Sequence, residues 1–258
     1  MHSVNLPEPR MDWALFLDFD GSIVDIAPTP ESVDVPETLP SLLAALRKTL
    51  GNAVAIVTGR SIEQIDGFLG TAIPAVAGLH GFERRTADGT IVRPSPPPNG
   101  LRSVRTLLRE FAAGYRGVFV EDKKFAVALH CRLNPSSMNA CRDAVNAALE
   151  GNTKDWQVVE GKFIFDIRQR AFTKGTAIEA FMREAPFHGR TPVFCGDDIT
   201  DEDGFAVVNA RGGVSIRVGN GPVTQAGVEV DTVKELLDWL TRIAGPTGAS
   251  SSATGAQV

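Results

Sequence analysis

Cysteine is scarce and unpatterned in this chain. Cys131, Cys141 and Cys195 are an odd set without CxxC spacing, which excludes a disulfide scaffold and the usual zinc or redox motifs and leaves buried or incidental thiols in a reducing compartment. Positive charge is not in excess either. With a formal net charge of -5 and no local basic patch, neither a nucleic acid nor an anionic membrane is an expected partner, and a small molecule acting on a monomer is the default. No apolar run approaches the ~20 residues that span a bilayer. The stretch MHSVNLPEPRMDW lacks the apolar core of a secretory signal, so a cytoplasmic location is expected. Also missing is a GxGxxG turn after the first strand, which sets aside a dinucleotide-binding dehydrogenase.

What is present is an ordinary soluble composition, 43% hydrophobic and 22% charged over 258 residues, with room for one large domain or two modest ones. Strand-length apolar runs recur at 14–18, 53–58, 75–79, 192–196 and 214–218. Between the first two, LPSLLAALRKTL carries leucines at helical spacing, and Ser61 with Gln64 three residues on predicts a capped helix through Ile62, Ile65 and Phe68. Strands alternating with helices predict a parallel sheet covered on both faces, with ligands beyond the carboxyl ends of its strands. The middle of the chain breaks the pattern. Asp88-Gly89 reads as a hairpin turn and SPPPNG as a hinge, followed by helix, two strands, helix and two more strands up to about Arg170. This is an α+β module inserted into an α/β protein as a cap over the strand ends. The expected division is 1–98 and 171–245 for the core, 99–170 for the cap, and a disordered tail over 246–258, which is small, polar and free of aromatics.

Four short pieces carry the chemistry: DFDGS (Asp18 to Ser22), VTGR (Val57 to Arg60), TKG (Thr173 to Gly175) and GDDITDED (Gly196 to Asp203). Alternate side chains at a strand end point the same way, so Asp18 and Asp20 can approach one centre while Phe19 turns into the core. Two such carboxylates repel unless a proton or a hard cation lies between them, and Mg²⁺ is the fitting ion. Asp18 is then placed as a nucleophile towards phosphorus. Asp20 offers its carbonyl to the metal and its side chain as general acid and base. Gly21 permits the sharp turn that aims backbone N–H groups at a phosphate. Asp197 is the expected principal metal ligand, with Asp198 sharing the metal or standing behind it. Asp201 would orient metal-bound water or accept from Lys174. Thr58, Gly59 and Lys174 supply the hydroxyl, backbone N–H and cation that a phosphoryl group in transfer requires, and Arg60 is grouped with them.

These four pieces resemble the motifs of the haloacid dehalogenase superfamily of aspartyl-phosphate phosphotransferases. The resemblance narrows to the trehalose-6-phosphate phosphatase family through LDFDGSIVDIAPTP, AVAGLHGFERR, VEDKKFAVALHCR and FCGDDITDEDGFAVVN, and it covers roughly residues 12–240. It implies a Rossmann-like core with an α+β cap inserted after the third core strand, Mg²⁺ dependence, and hydrolysis of trehalose 6-phosphate through an aspartyl-phosphate on Asp18. It also implies that the cap holds the sugar hydroxyls through Glu121, Lys123, His130, Lys162 and Asp166. The chain departs from the family pattern at Asp166, where Glu is usual, at Arg168-Gln169, where an arginine-proline pair is usual, and at Thr173, where an acid is common.

Plainer readings of the same residues stand beside this one. Glu121 to Lys124 also look like a charged hairpin tip, His130 like a packing histidine at a strand end, Arg84 and Arg85 like solvated arginines, and the three tryptophans like packing residues. The core motifs see only phosphate, so sucrose phosphate, mannosyl phosphoglycerate or a monosaccharide phosphate are alternative substrates. A sugar-phosphate sensor without turnover is the alternative from another class.

Overall fold

The structure is a computed structural model that describes residues 6–94, 101–123, 126–151, 153–221 and 223–245. Both the expected hinge over Ser95 to Gly100 and the expected tail fall outside these residues.

The chain opens with β1 (Trp13–Leu17), α1 (Leu39–Thr49), β2 (Val54–Val57), α2 (Ile62–Leu69), β3 (Val76–Gly78) and the hairpin β4 (Glu83–Arg85) and β5 (Ile91–Val92). There follow α3 (Arg102–Ala113), β6 (Phe119–Asp122), β7 (Val127–His130), α4 (Met138–Ala148), β8 (Trp156–Gly161) and β9 (Ile164–Gln169). The chain closes with α5 (Lys174–Phe181), β10 (Thr191–Gly196), α6 (Glu202–Ala210), β11 (Val214–Val218), β12 (Val228–Val230) and α7 (Val233–Ala244).

Strands from both ends of the chain form one sheet in the order β12-β11-β10-β1-β2-β3-β4-β5, parallel from β12 to β3 and antiparallel through the hairpin. Burial on both faces explains why β1 reads as a continuous apolar run rather than an alternating one. Its residues still sort by parity. Trp13, Leu15 and Leu17 pack beneath α1, α2 and α7, while Ala14 and Phe16 face α5 and α6. On the second face β1, β2, β3 and the residues just before them offer small side chains, Ala14, Ala53, Ala55, Ala75 and Ala77, and the volume is filled from the helix layer by Phe181, Phe187 and Phe205. Large against small is what close packing of a helix layer on a sheet demands. The expected Ser61 cap is present, with Gln64 N–H donating to Ser61 Oγ at 3.2 Å and Ser61 N–H to Gln64 Oε1 at 2.9 Å. The tryptophans are packing residues: Trp13 and Trp239 lie 5.7 Å apart, and Trp156 is buried in the inserted module. All three cysteines are free and buried. No helix among the described residues is long and apolar enough to cross a membrane.

The inserted module is an antiparallel sheet in the order β6-β7-β9-β8, with α3 and α4 on one side. Parity again decides what faces where. Val127 and Leu129 of β7 and Phe165 and Ile167 of β9 pack against those helices, so Ala128, His130, Ile164, Asp166 and Arg168 belong to the opposite face. Register then sets a row across that face, because Ala128 pairs with Glu121 on one side and Asp166 on the other. The small side chain between them leaves room beside two acids.

Arg84 and Arg85 are a correction to the solvated arginines expected above. Arg84 makes two hydrogen bonds to Glu184, and Arg85 makes two to Asp66 and one to the Pro74 carbonyl at 2.6 Å. They tie the β4 edge to its neighbours and do not face the phosphate side.

Candidate active site

In the core sheet the chain runs outward from β1 to β2 and β3 on one side and lies over β10 to β12 on the other, so β1 and β10 flank the point where strand order reverses. Loops at such a point diverge and leave a crevice. DFDGS leaves β1 into it and GDDITDED leaves β10 into it, and the two strand ends are joined by Asp18 N–H donating to the Cys195 carbonyl at 2.9 Å. That adjacency places carboxylate oxygens of Asp18, Asp197 and Asp201 within 4.8 Å of one another.

Three carboxylates at this separation, Asp18 and Asp201 buried and Asp197 half-buried, need a cation. Lys174, the first residue of α5, is held in place because Thr173 caps the helix by accepting from Thr176 N–H. Its ammonium lies 2.8 Å from Asp18 Oδ1 and 2.6 Å from Asp201 Oδ1. Burial opposes the charge on Lys174, but Asp18 and Asp201 more than compensate and hold its pKa above the usual lysine value. One lysine does not neutralise three acids. Burial, together with repulsion from Asp201 and Asp20, pushes the Asp18 carboxyl up to about 7 despite Lys174. Burial, with repulsion from Asp18, Asp201 and Asp198, raises Asp197 well above its ordinary value despite Lys174, and Asp197 has no ion-pair partner among the described residues. Asp201 is fully engaged, since its Oδ2 accepts the backbone N–H groups of Asp197 and Asp198 at 3.0 Å each. Under-neutralised, pre-positioned oxygen donors are the chemistry of a hard divalent cation. The residues present fit one.

Gly21 shows how tightly the crevice is built. Its φ is +79°, and a Cβ there would lie 2.1 Å from Asp197 Oδ2. We expect Gly21→Ala to displace the Asp197 carboxylate, weakening divalent-metal binding and lowering turnover by about 10²-fold; a metal titration followed calorimetrically checks the first part.

The other expected residues fall into place around this centre. Thr58 follows β2 directly, buried, and its Oγ1 accepts from Arg60 N–H at 3.2 Å. Arg60 makes two 2.7 Å hydrogen bonds to the Asp20 carboxylate, donates a third at 2.9 Å to the Pro30 carbonyl, and lies 5.0 Å above the Phe68 ring. Its charge is therefore spent on Asp20. The Asp20 side chain points at Arg60, and Asp198 is turned to its own 3₁₀ turn, accepting from Ile199 N–H at 2.7 Å; neither side chain belongs to the three-carboxylate cluster.

Above the centre a cavity of ≈ 940 Å³ reaches from the strand ends to the inserted sheet. That lies near the upper end of the ~300–1,000 Å³ of small-molecule sites and is far more than a phosphate alone requires. Gly59 and the solvent-facing Lys162 line it. The row read from the register forms its upper wall. Lys123 Nζ lies 3.3 Å from Asp166 Oδ1 and 3.9 Å from Glu121 Oε2, and His130 Nε2 lies 2.9 Å from Glu121 Oε2 with its ring stacked on Phe119. Burial works against every charge here, yet Lys123 is held above its usual pKa by Asp166 and Glu121, and Glu121 below its usual value by Lys123 and His130. Lys123 is thus folded inward, not displayed at a hairpin tip; Lys124 is outside the described residues.

His80 was not singled out from the sequence. It follows β3 in the turn Leu79–Gly81, with φ near +50° at Leu79 and φ 56° at His80 itself, a conformation non-glycine residues rarely adopt outside functional turns. The available signal was position, since GLHG sits at the end of the third parallel strand, where ligands bind.

Comparison with known proteins adds the following. The family model for trehalose-phosphatase matches residues 16–234. The chain is 42% identical to the probable trehalose-phosphate phosphatase of Sinorhizobium fredii over 208 residues, 81% of this chain and 78% of that protein. With the trehalose-6-phosphate phosphatase of Escherichia coli it shares 38% identity over 240 residues, 92% of this chain and 88% of that one. The C-terminal domain of the trehalose-6-phosphate phosphatase of C. albicans superposes with a TM-score of 0.81 at 20% identity, covering 90% of this chain and 92% of that domain, a likeness of fold.

Proposed function

The chain belongs to the trehalose-phosphatase family of the haloacid dehalogenase superfamily, and from that premise we propose that it is a Mg²⁺-dependent phosphatase that hydrolyses trehalose 6-phosphate to trehalose and phosphate through an aspartyl-phosphate on Asp18. The observation that carries this reading is the arrangement of Asp18, Asp197, Asp201 and Lys174 at the floor of a cavity whose roof is a row of charged side chains.

Asp18, Asp197 and the carbonyl of Asp20 would hold the ion. Mg²⁺ supplies positive charge that keeps Asp18 ionised and draws electron density from the phosphoryl group. Asp18 Oδ attacks phosphorus as the bond to the sugar oxygen breaks, and the spread charge meets Lys174, the Thr58 hydroxyl and the backbone N–H groups of the two strand-end loops. Asp20 protonates the departing sugar oxygen and then takes a proton from the water that attacks the phosphorylated Asp18, releasing phosphate. To do so it must give up at least one of its two hydrogen bonds to Arg60, which makes Arg60 the group that steers Asp20 and not a phosphate ligand. The roof explains why a sugar is the fitting leaving group: Glu121, Lys123, His130 and Asp166 offer charged donors and acceptors, which suit hydroxyls and gain little from an apolar alcohol.

Phosphate release is measured across a panel of trehalose 6-phosphate, sucrose 6-phosphate, mannosyl phosphoglycerate and glucose 6-phosphate, with and without EDTA. Trehalose 6-phosphate is expected to have the highest kcat/KM, with loss of turnover in EDTA and recovery on adding Mg²⁺. A different best substrate rejects the sugar assignment, and turnover indifferent to EDTA rejects the metal.

A further inference from the structure

The roof of the cavity is joined to its floor by one buried core side chain, His80, and the join is rigid at both ends. On the core side, His80 N–H donates to the Thr58 carbonyl at 2.9 Å, and its ring is pressed against the backbone of Gly59, where a Cβ would lie 2.6 Å from Nε2. The glycine after Thr58 is therefore required by the ring as well as by any phosphate. On the cap side, His80 Nε2 lies 2.6 Å from Asp166 Oδ2, both side chains being under a tenth exposed. From Asp166 the contacts continue through Lys123 and Glu121 to His130. Elsewhere among the described residues the cap meets the core through Arg168, 3.7 Å from Asp203, through Arg132, which donates to the Ala27 carbonyl, and where β8 packs on the turn Ile199–Asp201.

Burial keeps the His80 imidazole neutral, its pKa pushed down to about 3 even though Asp166 favours the cation. Asp166 is held ionised against its own burial by Lys123 and Arg168. A neutral ring held 2.6 Å from a carboxylate adds no charge, so its close approach limits where Asp166 sits without cancelling the charge that a sugar hydroxyl would meet. The left-handed backbone at Leu79 and His80 is the cost of bringing the ring to that position.

We propose that His80 is a positioning residue that sets the distance between the phosphate loop and the sugar-reading carboxylate Asp166, so that the preference for a sugar ester over a phosphate ester of any other alcohol depends on it. The inference rests on the sugar-phosphatase reading above. Misplacing a recognition group by about 1 Å can cost ~10²-fold, and the loss falls on the substrate that uses the group.

The experiment compares kcat/KM for trehalose 6-phosphate with kcat/KM for p-nitrophenyl phosphate, and the readout is their ratio. In His80→Ala the ratio is expected to fall by about 10–100-fold, and His80→Gln, which restores an N–H of similar reach at the same backbone cost, should recover most of it. In an Asp166→Ala background, His80→Ala should change the ratio no further, because the two act as a unit. Parallel loss on both esters, additivity with Asp166→Ala, or no change in the ratio each overturns the proposal. If His80→Ala does not fold, His80→Asn carries the same test: asparagine tolerates the left-handed backbone but is too short to reach Asp166. If wild-type protein prefers another sugar phosphate, the substrate assignment fails while the ratio, taken with that ester, still decides the role of His80.

Discussion

Asp18→Asn is expected to abolish turnover, by at least about 10⁴-fold, in a protein that folds as the wild type does. An amide is not a nucleophile towards phosphorus, and no other carboxylate can take over. Asp197 and Asp201 are near enough to share an ion with Asp18, but Asp201 is occupied on both oxygens by Lys174 and two backbone N–H groups, and Asp197 is pinned by the close approach of Gly21. The fold survives because the change removes a buried charge that the site neutralises poorly, and because Lys174 keeps Asp201 at 2.6 Å. Asp20→Asn makes the contrast. It leaves Asp18 in place and removes proton transfer, so a smaller loss of about 10²–10⁴-fold is expected, with phosphorylated protein accumulating in acid-quenched samples because attack by water is the step left without a base. Measurable turnover in folded Asp18→Asn, purified free of wild-type enzyme, would falsify the nucleophile assignment.

The core of this site is legible in the sequence because each of its groups is tied to a strand end that the sequence also marks. A buried parallel strand shows as an unbroken apolar run, so the acids that follow Leu17 and Gly196 are seen at once as loop residues at the carboxyl edge of a sheet. Their convergence follows from a topology that alternating strands and helices already imply. The Lys174–Asp201 pair was within reach for the same reason.

The cap residues are a different case. Which face Glu121, His130 and Asp166 share depends on the register of β6, β7 and β9, and the partner that completes the row, Asp166, pairs with Ala128 from 38 residues further along the chain. Composition allowed a charged hairpin tip equally well, and only the shared pairing with Ala128 decides between the two. Arg84 and Arg85 show the same limit from the other side, since Glu184, the partner of Arg84, stands 100 residues further along the chain. His80 was hidden for a third reason: its role comes from a left-handed turn, and nothing about a single histidine after GL announces a positive φ.

The stability that Mg²⁺ adds to the protein is expected to grow as pH rises from about 5 to about 8. The sign follows from the two carboxyls that the site leaves poorly neutralised. Burial and mutual repulsion raise Asp18 to about 7 and lift Asp197 well above its ordinary 3.8. Between the unfolded value and these, the two carboxyls bind more protons in the folded protein than in the unfolded one, so their contribution to stability falls with pH through that window. Asp166 and Glu121 have the opposite sign, because their pKa values are depressed, but what they contribute is lost only as pH falls below the unfolded carboxylate value near 4, outside this window. His80 opposes the carboxyls within it: burial depresses its pKa to about 3, so its contribution grows with pH up to the unfolded value near 6.5, equally with and without metal. Lys174, held above its usual value, stays protonated throughout. Binding a divalent ion requires the protons on Asp18 and Asp197 to leave, so the metal-induced rise in Tm should be small at pH 5 and largest near pH 8. Asp197→Asn sharpens the expectation. Losing one of the repelling acids should make the metal-free protein more stable than wild type at pH 8 while removing most of its response to Mg²⁺, the behaviour of a site that holds strain for the sake of its ligand. Tm measured from pH 4.5 to 8.5 with EDTA and with Mg²⁺ decides it: a metal increment independent of pH would mean that these carboxyls are neutralised by something other than a bound cation.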